Sequence, residues 1–138
     1  MTIRLIIILL SNLIAVELYS SSLFENQNKI PVAEEVFKLS TNNKDGEVFL
    51  SWNIKDGYYM YLQSIELKHN EKSIPFDILE SKEELYTDEF FGETKILKDS
   101  FKIKAELNSL LNLLDVFIYY QGCSEAGFCY PVQKNKIY

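Results

Sequence analysis

The chain has 138 residues, a formal net charge of −6 and a hydrophobic content of 47%. This length suits one domain with a single hydrophobic core. The acidic balance argues against nucleic acids and anionic membrane surfaces, because binding either would require a basic stripe that the scattered lysines do not supply. The expected partner is therefore a protein or a small molecule.

Residues 1–20 have the layout of a secretory signal peptide. Arg4 precedes an apolar run from Leu5 to Val16, and small residues follow at 20–22, where cleavage is expected. The run of about a dozen residues is shorter than the roughly 20 that a stable transmembrane helix needs. An uncleaved N-terminal anchor is the alternative. Export would place the chain outside the cytosol, where a disulfide persists.

After a polar linker at residues 21–30, one folded domain is expected over residues 31–138. Apolar and polar residues alternate from Val48 to Ile54, which is the period of a half-buried strand, with Trp52 facing the core. Asp-Gly pairs on both sides of this segment mark turns. Similar patterns predict further strands at 59–68, at 76–78 after Pro75, at 101–107 and at 116–121.

The spacing of these segments decides the fold class. Short strands divided by turns, with no long amphipathic helix, favour an all-β, immunoglobulin-like antiparallel β-sandwich, and a small β-barrel is the alternative. The leucines between residues 107 and 115 fit a helical turn as well as an irregular connection, and both interpretations remain open.

The only two cysteines, Cys123 and Cys129, lie in the segment YQGCSEAGFCYP at residues 120–131. Fully extended, these positions would be about 20 Å apart, whereas a disulfide requires Cα atoms about 4.4 to 6.8 Å apart. The chain must therefore reverse between them, and Gly127 suits the positive φ of such a reversal. We expect a hairpin-like loop that carries the disulfide at its base.

The cysteine pair is compatible with a redox bond or a structural bond. A loop this short stabilises the fold by roughly 2 to 2.5 kcal/mol, which is low for a structural disulfide and weighs slightly toward redox chemistry. Small exported domains nevertheless use structural disulfides freely. A metal site is not expected, because two cysteines and the single His69, placed in an exposed polar turn, do not supply the usual four zinc ligands.

A redox disulfide must be reachable by an attacking thiolate and yet guarded against other thiols. The segment TDEFFGE, residues 87–93, is a candidate cover, because Phe90 and Phe91 adjoin in an acidic stretch that lacks a strand pattern. The alternative is that one phenylalanine fills the core while the acidic residues are simply solvated.

Three motifs, WNIKDGYYMY at 52–61, DEFFG at 88–92 and YQGCSEAGFCYP at 120–131, together resemble the N-terminal periplasmic domain of the DsbD family of thiol:disulfide interchange proteins. The resemblance implies an immunoglobulin-like protein-disulfide reductase domain that relays electrons in the periplasm without a cofactor. Its donor would be a thioredoxin-like reductase domain served by a membrane electron conduit. Its acceptors would be a DsbC-like isomerase or a cytochrome c maturation thioredoxin.

The same resemblance assigns roles to individual residues. Cys129 would form the mixed disulfide with partners, Cys123 would resolve it, and Phe90 would be the cap that shields the bond until a partner displaces it. Carboxylates near the pair would raise the thiol pKa and slow the reduced cysteines outside a complex. The other residues expected to line the site are Asp88, Glu89, Phe91, Gly92, Tyr59 and Tyr61.

The sequence departs from the family pattern in places. Phe91 stands where a tyrosine is common, and Val132 stands where a second proline is common. The chain lacks the membrane and thioredoxin-like domains, so we expect either a stand-alone relay served by separate proteins or a piece of a longer one. The chain also ends soon after the cysteine motif, leaving little room for a full last strand. The alternative function is a non-catalytic immunoglobulin-like binding module with a structural disulfide.

Overall fold

The computed structural model describes residues 30–89, 91–107 and 115–137. The predicted signal peptide, most of the predicted linker and the open stretch at 108–114 lie outside these ranges. None of the helices in the described part is long and apolar enough to cross a membrane. The elements within it are helix α1 (Ala33–Val36), a 3-10 turn (Leu62–Ser64), and the strands β1 (Phe37–Lys44), β2 (Glu47–Ile54), β3 (Tyr58–Tyr61), β4 (Glu66–His69), β5 (Lys72–Ile74), β6 (Asp77–Asp88), β7 (Gly92–Glu106), β8 (Val116–Tyr120), β9 (Gly122–Ser124), β10 (Phe128–Cys129) and β11 (Gln133–Lys136).

Across the described residues these strands form two sheets in which every pairing is antiparallel. The first sheet has the order β1-β2-β7-β3-β9-β10, with β6 also paired to β7, and the second has the order β11-β8-β4-β5. Their inner faces share one core, in which the ring of Trp52 from the first sheet lies 5.6 Å from that of Tyr120 in the second. The immunoglobulin-like β-sandwich is therefore confirmed.

Strand β2 follows its predicted alternation. Val48, Leu50, Trp52 and Ile54 are all buried, because successive side chains of a strand point to opposite faces and only these face the second sheet. The predicted strand at 116–121 is confirmed as β8.

The predicted continuous strand over 59–68 is wrong. The chain leaves the first sheet after Tyr61, turns through a 3-10 segment and enters the second sheet as β4. Ser64 fixes this corner, because its hydroxyl donates to the Tyr61 carbonyl at 2.7 Å and accepts from the Gln121 backbone N–H at 2.8 Å. The β8–β9 connection changes sheets at the same corner, where the Tyr61 N–H donates to the Gln121 carbonyl at 3.0 Å.

The segment at 87–93, expected to lack strand structure, joins two long strands. Strand β6 runs to Asp88 and β7 begins at Gly92, with Thr87 opposite Glu93 and Asp88 opposite Gly92. The strand pattern is hidden in the sequence because β6 is largely exposed on both faces, so its apolar and polar residues do not alternate. The strands expected at 76–78 and 101–107 are the far ends of this hairpin.

The expected exposure of His69 is also corrected. His69 is half-buried at the end of β4, where its Nε2 lies 3.3 Å from the Asn70 side-chain amide. The β4–β5 turn begins only at Asn70, since Asn70 and Glu71 carry the positive φ values of a tight hairpin turn.

Candidate functional site

The two cysteines form a disulfide that joins β9 to β10. Cys123 and Cys129 are direct cross-strand partners with Cα atoms 4.0 Å apart. The reversal between them is held by Gly127, whose φ is +91° and whose N–H donates to the Ser124 carbonyl at 3.0 Å. The predicted hairpin with the disulfide at its base is confirmed.

The two sulfurs differ in accessibility. Cys123 is 1% exposed and pairs with Tyr59 of β3, so it sits inside the sheet. Cys129 is half-buried and lies on β10, the last strand of the first sheet. An incoming thiolate therefore meets Cys129 before Cys123.

Gly122 allows the cysteine strand to lie deep in the sheet. A Cβ atom at this position would come within 2.5 Å of both the Phe37 ring and the Tyr59 carbonyl oxygen. Only glycine lets β9 approach β3 this closely, which brings Cys123 beside the tyrosines of β3.

Strand β3 places side chains on both faces of the first sheet. Met60 belongs to the main core, whereas Tyr59 and Tyr61 form a separate buried cluster with Ile96 and Cys123 on the opposite face of the sheet. The Tyr61 hydroxyl lies 3.2 Å from Cys123 Sγ and 4.0 Å from Cys129 Sγ. Because the sulfurs of a disulfide carry no proton, the hydroxyl is the donor in this contact.

Aromatic rings surround the disulfide. The ring of Tyr59 lies 5.5 Å from that of Tyr61 and 5.4 Å from that of Tyr86. Phe91, although 49% exposed, packs edge-on against Tyr61 with ring centroids 4.7 Å apart. Phe91 is thus the described aromatic residue of the β6–β7 turn that contacts this cluster.

An open cleft of about 250 Å³ leads to the disulfide. One wall is the end of the β6–β7 hairpin, represented by Tyr86, Thr87 and Glu89, and the other is the cysteine hairpin from Cys123 to Cys129. Tyr59 also lines the cleft. Both cysteines line the cleft, so one edge of the disulfide can be approached from solvent, which is what exchange chemistry requires.

The structure brings together most of the residues expected from the sequence. Tyr59, Tyr61, Glu89 and Phe91 lie in or beside the cleft, and Gly92 opens β7 with φ +68°. Asp88 ends β6, but its side chain and the whole of Phe90, the predicted cap, lie outside the described part of the structure.

Sequence reasoning missed Tyr86, Lys98 and Glu125. Tyr86 faces the cleft, and Lys98 forms ion pairs with Glu125 at 2.9 Å and with Glu84 at 3.1 Å. The position of Tyr86 one residue before the TDEFFGE segment was an available indication. Nothing in the sequence pairs Lys98 with Glu125, because Lys98 lies on β7 and Glu125 in the distant β9–β10 turn, and only the sheet order brings them together.

A β-sandwich with a hairpin disulfide at an open, aromatic-lined cleft is the arrangement expected of a thiol–disulfide exchange domain. Residues 27–138 match the family model described as "Thiol:disulfide interchange protein DsbD, N-terminal". The chain therefore belongs to the DsbD N-terminal domain family.

Individual relatives agree with this assignment. The thiol:disulfide interchange protein DsbD of Haemophilus ducreyi is 39% identical over 124 residues, covering 90% of this chain and 21% of that protein. The chain thus spans about a fifth of the length of the curated relatives it matches.

Solved structures share the fold. The DsbD N-terminal domain of Neisseria meningitidis in the reduced form has a TM-score of 0.64 and 26% identity, covering 79% of this chain and 88% of that one. A structure of the complex between the DsbD N-terminal and PilB N-terminal domains of the same organism matches with a TM-score of 0.59 and 24% identity, covering 79% of this chain and 85% of that one.

Proposed function

We propose that this chain is an electron-relay domain of the periplasm, a protein-disulfide reductase module whose Cys123–Cys129 bond opens and closes during exchange with protein partners. The observation that carries the proposal is the asymmetry of the disulfide, with Cys123 buried in the sheet and Cys129 half-exposed at the cleft. A bond that served only to join strands would not need an open approach to one sulfur.

The proposed exchange begins with a donor thiolate. It attacks Cys129 Sγ, a bond forms between the two sulfurs, and the bond to Cys123 breaks so that Cys123 leaves as a thiolate. A second donor thiolate then attacks the donor sulfur of the mixed disulfide and releases Cys129. The donor ends as a disulfide, while this domain gains two electrons and, from solvent, two protons.

Delivery to a client is the same chemistry in reverse. The Cys129 thiolate attacks a client disulfide, and the Cys123 thiolate then attacks Cys129, which restores the bond and releases the client as a dithiol. The Tyr61 hydroxyl, 3.2 Å from Cys123 Sγ, would donate a hydrogen bond to the negative charge that develops on this sulfur.

Family membership supports a choice of partners. The Neisseria meningitidis domain has been solved in the reduced form and in a complex with the PilB N-terminal domain, which is consistent with a reducible disulfide and a protein partner. We propose a thioredoxin-like reductase domain, itself served by a membrane electron conduit, as the donor. The proposed clients are a DsbC-like isomerase or a cytochrome c maturation thioredoxin.

The cap remains part of this proposal. Phe90 would cover the disulfide between encounters, together with Phe91, and a partner would displace the turn that carries them. Export by residues 1–20 would bring the domain to the oxidising compartment in which its resting disulfide forms.

A trapping experiment tests the relay. The Cys123→Ala variant leaves Cys129 free, so we expect it to form a stable mixed disulfide with a purified thioredoxin-like domain whose single remaining cysteine is activated with thionitrobenzoate. The matched Cys129→Ala variant leaves only the buried Cys123 and should react far more slowly. Equal reaction of the two variants, or none from Cys129 in a folded protein, would contradict the proposal.

The redox potential separates the relay from a binding module with a structural bond. A relay disulfide is expected between about −180 and −270 mV, the range of isomerases, glutaredoxins and thioredoxin, whereas structural disulfides lie below about −300 mV. Equilibration of the purified domain with glutathione buffers measures the potential. A value in the structural range would favour the non-catalytic alternative.

A further inference from the structure

Lys98 connects the two walls of the disulfide cleft. Its Nζ lies 2.9 Å from Glu125 Oε1, in the turn between β9 and β10, and 3.1 Å from Glu84 Oε2 on β6. The lysine side chain is 26% exposed, so the bridge is partly shielded from solvent. One cation on β7 thus links β6, whose end forms one wall of the cleft, to the cysteine turn that belongs to the other wall.

The strand register explains why this lysine reaches both walls. Ile96 and Leu97 of β7 pair with Tyr61 and Met60 of β3. Continuing this register by one residue sets Lys98 beside Tyr59, whose neighbour on the other side is Cys123. Lys98 also shares a face with Ile96, because residues two apart on a strand point the same way. It therefore lies in the row that leads across the sheet to the disulfide.

The electrostatics of Lys98 agree with two stable ion pairs. The hydrogen bond from Lys98 to Glu125 and, to a smaller extent, the one to Glu84 raise the pKa of the lysine above its ordinary value. The turn that carries Glu125 lies on the surface, where Glu125, Ala126 and Gly127 are all exposed. Besides these ion pairs, three backbone N–H groups of the turn donate hydrogen bonds within the described residues. The Glu125 N–H donates to the Gly57 carbonyl, the Ala126 N–H to the Ser124 hydroxyl, and the Gly127 N–H to the Ser124 carbonyl.

We infer that Lys98 is a positioning residue that holds the cysteine turn toward β6 and thereby limits the width of the cleft over Cys129. When either ion pair opens, the turn loses its side-chain link to β6, and the half-buried sulfur gains exposure. Two partly exposed ion pairs bias such an equilibrium by about three- to fivefold. The inference rests on the proposed function for its purpose, since a narrower cleft protects the bond between encounters.

The test measures how fast the oxidised protein is reduced by an uncharged phosphine, tris(hydroxypropyl)phosphine. In this reaction the phosphine attacks one sulfur, water supplies the oxygen of the resulting phosphine oxide, and both cysteines are released as thiols. We expect Lys98→Met to be reduced about three- to fivefold faster than the wild type. Lys98→Arg, which keeps both ion pairs, should restore the wild-type rate.

Lys102→Met is the matched control. Lys102 lies on the same face of β7 and pairs with Glu80 at 2.7 Å, away from the cleft, so its removal deletes one charge and one ion pair without touching the bridge. We expect this variant to be reduced at the wild-type rate. Glu125→Gln should accelerate reduction as Lys98→Met does, and the double variant should gain nothing further.

Several results would overturn the inference. One is equal reduction rates for Lys98→Met and Lys102→Met. A second is a faster rate in Lys98→Met that Lys98→Arg does not reverse, since this would reflect general loosening rather than loss of the ion pairs. Because no protein partner takes part, failure here is distinct from failure of the trapping experiment, which tests the relay itself.

Discussion

Replacing Tyr61 with phenylalanine isolates the contribution of one hydroxyl to the exchange chemistry. The side chain is 1% exposed, and its ring contacts with Tyr59 and Phe91 do not involve the oxygen. Tyr61→Phe therefore keeps the packing of the cleft and removes the donor 3.2 Å from Cys123 Sγ. The substitution tests whether this donor stabilises the leaving thiolate.

The size of the effect follows from the strength of a hydrogen bond to a charged acceptor. Such a bond contributes about 1.5 kcal/mol at the lower end of its range. The donor stabilises the thiolate, so its loss should make Cys123 a poorer leaving group. With about half of the charge developed on the leaving sulfur in the transition state, reduction should slow about three- to fourfold.

The assay measures the second-order rate constant for reduction of the oxidised protein by dithiothreitol, with samples quenched at intervals and analysed by mass spectrometry. Tyr119→Phe is the control, because Tyr119 lies on β8 in the second sheet and contacts Lys68 rather than the disulfide. We expect the control to match the wild type. A Tyr61→Phe variant that is reduced as fast as the wild type would refute the proposed hydrogen bond to the leaving thiolate.

Two further predictions concern stability. Gly122→Ala should lower the free energy of unfolding by about 1 to 3 kcal/mol in urea, because its Cβ would meet the Tyr59 carbonyl at 2.5 Å; equal stability would refute the close approach of β9. Burial raises the pKa of Tyr120 and Tyr130 to about 12, against about 10 when unfolded. The neutral phenols should therefore support the fold fully below pH ~10 and lose that support between pH ~10 and ~12. Urea midpoints and phenolate absorbance across this range measure the loss, and ionisation of all nine tyrosines near pH ~10 would contradict it.

Local patterns in the sequence predicted the features that depend on neighbouring residues. The alternation that buries Trp52 in β2 and the reversal at Gly127 each follow from a few adjacent side chains. The placement of Tyr59 and Tyr61 at the site came from the family resemblance. Both faces of β3 are buried, so alternation along the strand does not distinguish the site tyrosines from Met60 of the main core.

The features that were missed depend on contacts between distant segments. The change of sheet at Ser64 is fixed by a hydrogen bond to Gln121, and no local pattern indicates a corner there. The long β6–β7 hairpin is held by cross-strand ion pairs such as Lys95 with Glu83 at 3.0 Å, which appear in the sequence only as a polar stretch. Charged residues that pair across an exposed hairpin resemble a solvated loop when they are considered one strand at a time.

The backbone of the cysteine hairpin has a consequence for what happens after the disulfide opens. The Tyr130 N–H donates to the Gly122 carbonyl and the Gly127 N–H to the Ser124 carbonyl, each at 3.0 Å, and neither bond involves a sulfur atom. These bonds keep β9 and β10 paired when the covalent link is broken, so the two thiols stay neighbours at a high effective concentration. During delivery to a client, a mixed disulfide on Cys129 would then keep its resolving thiol within reach, so this domain rather than the client would set the lifetime of that covalent complex.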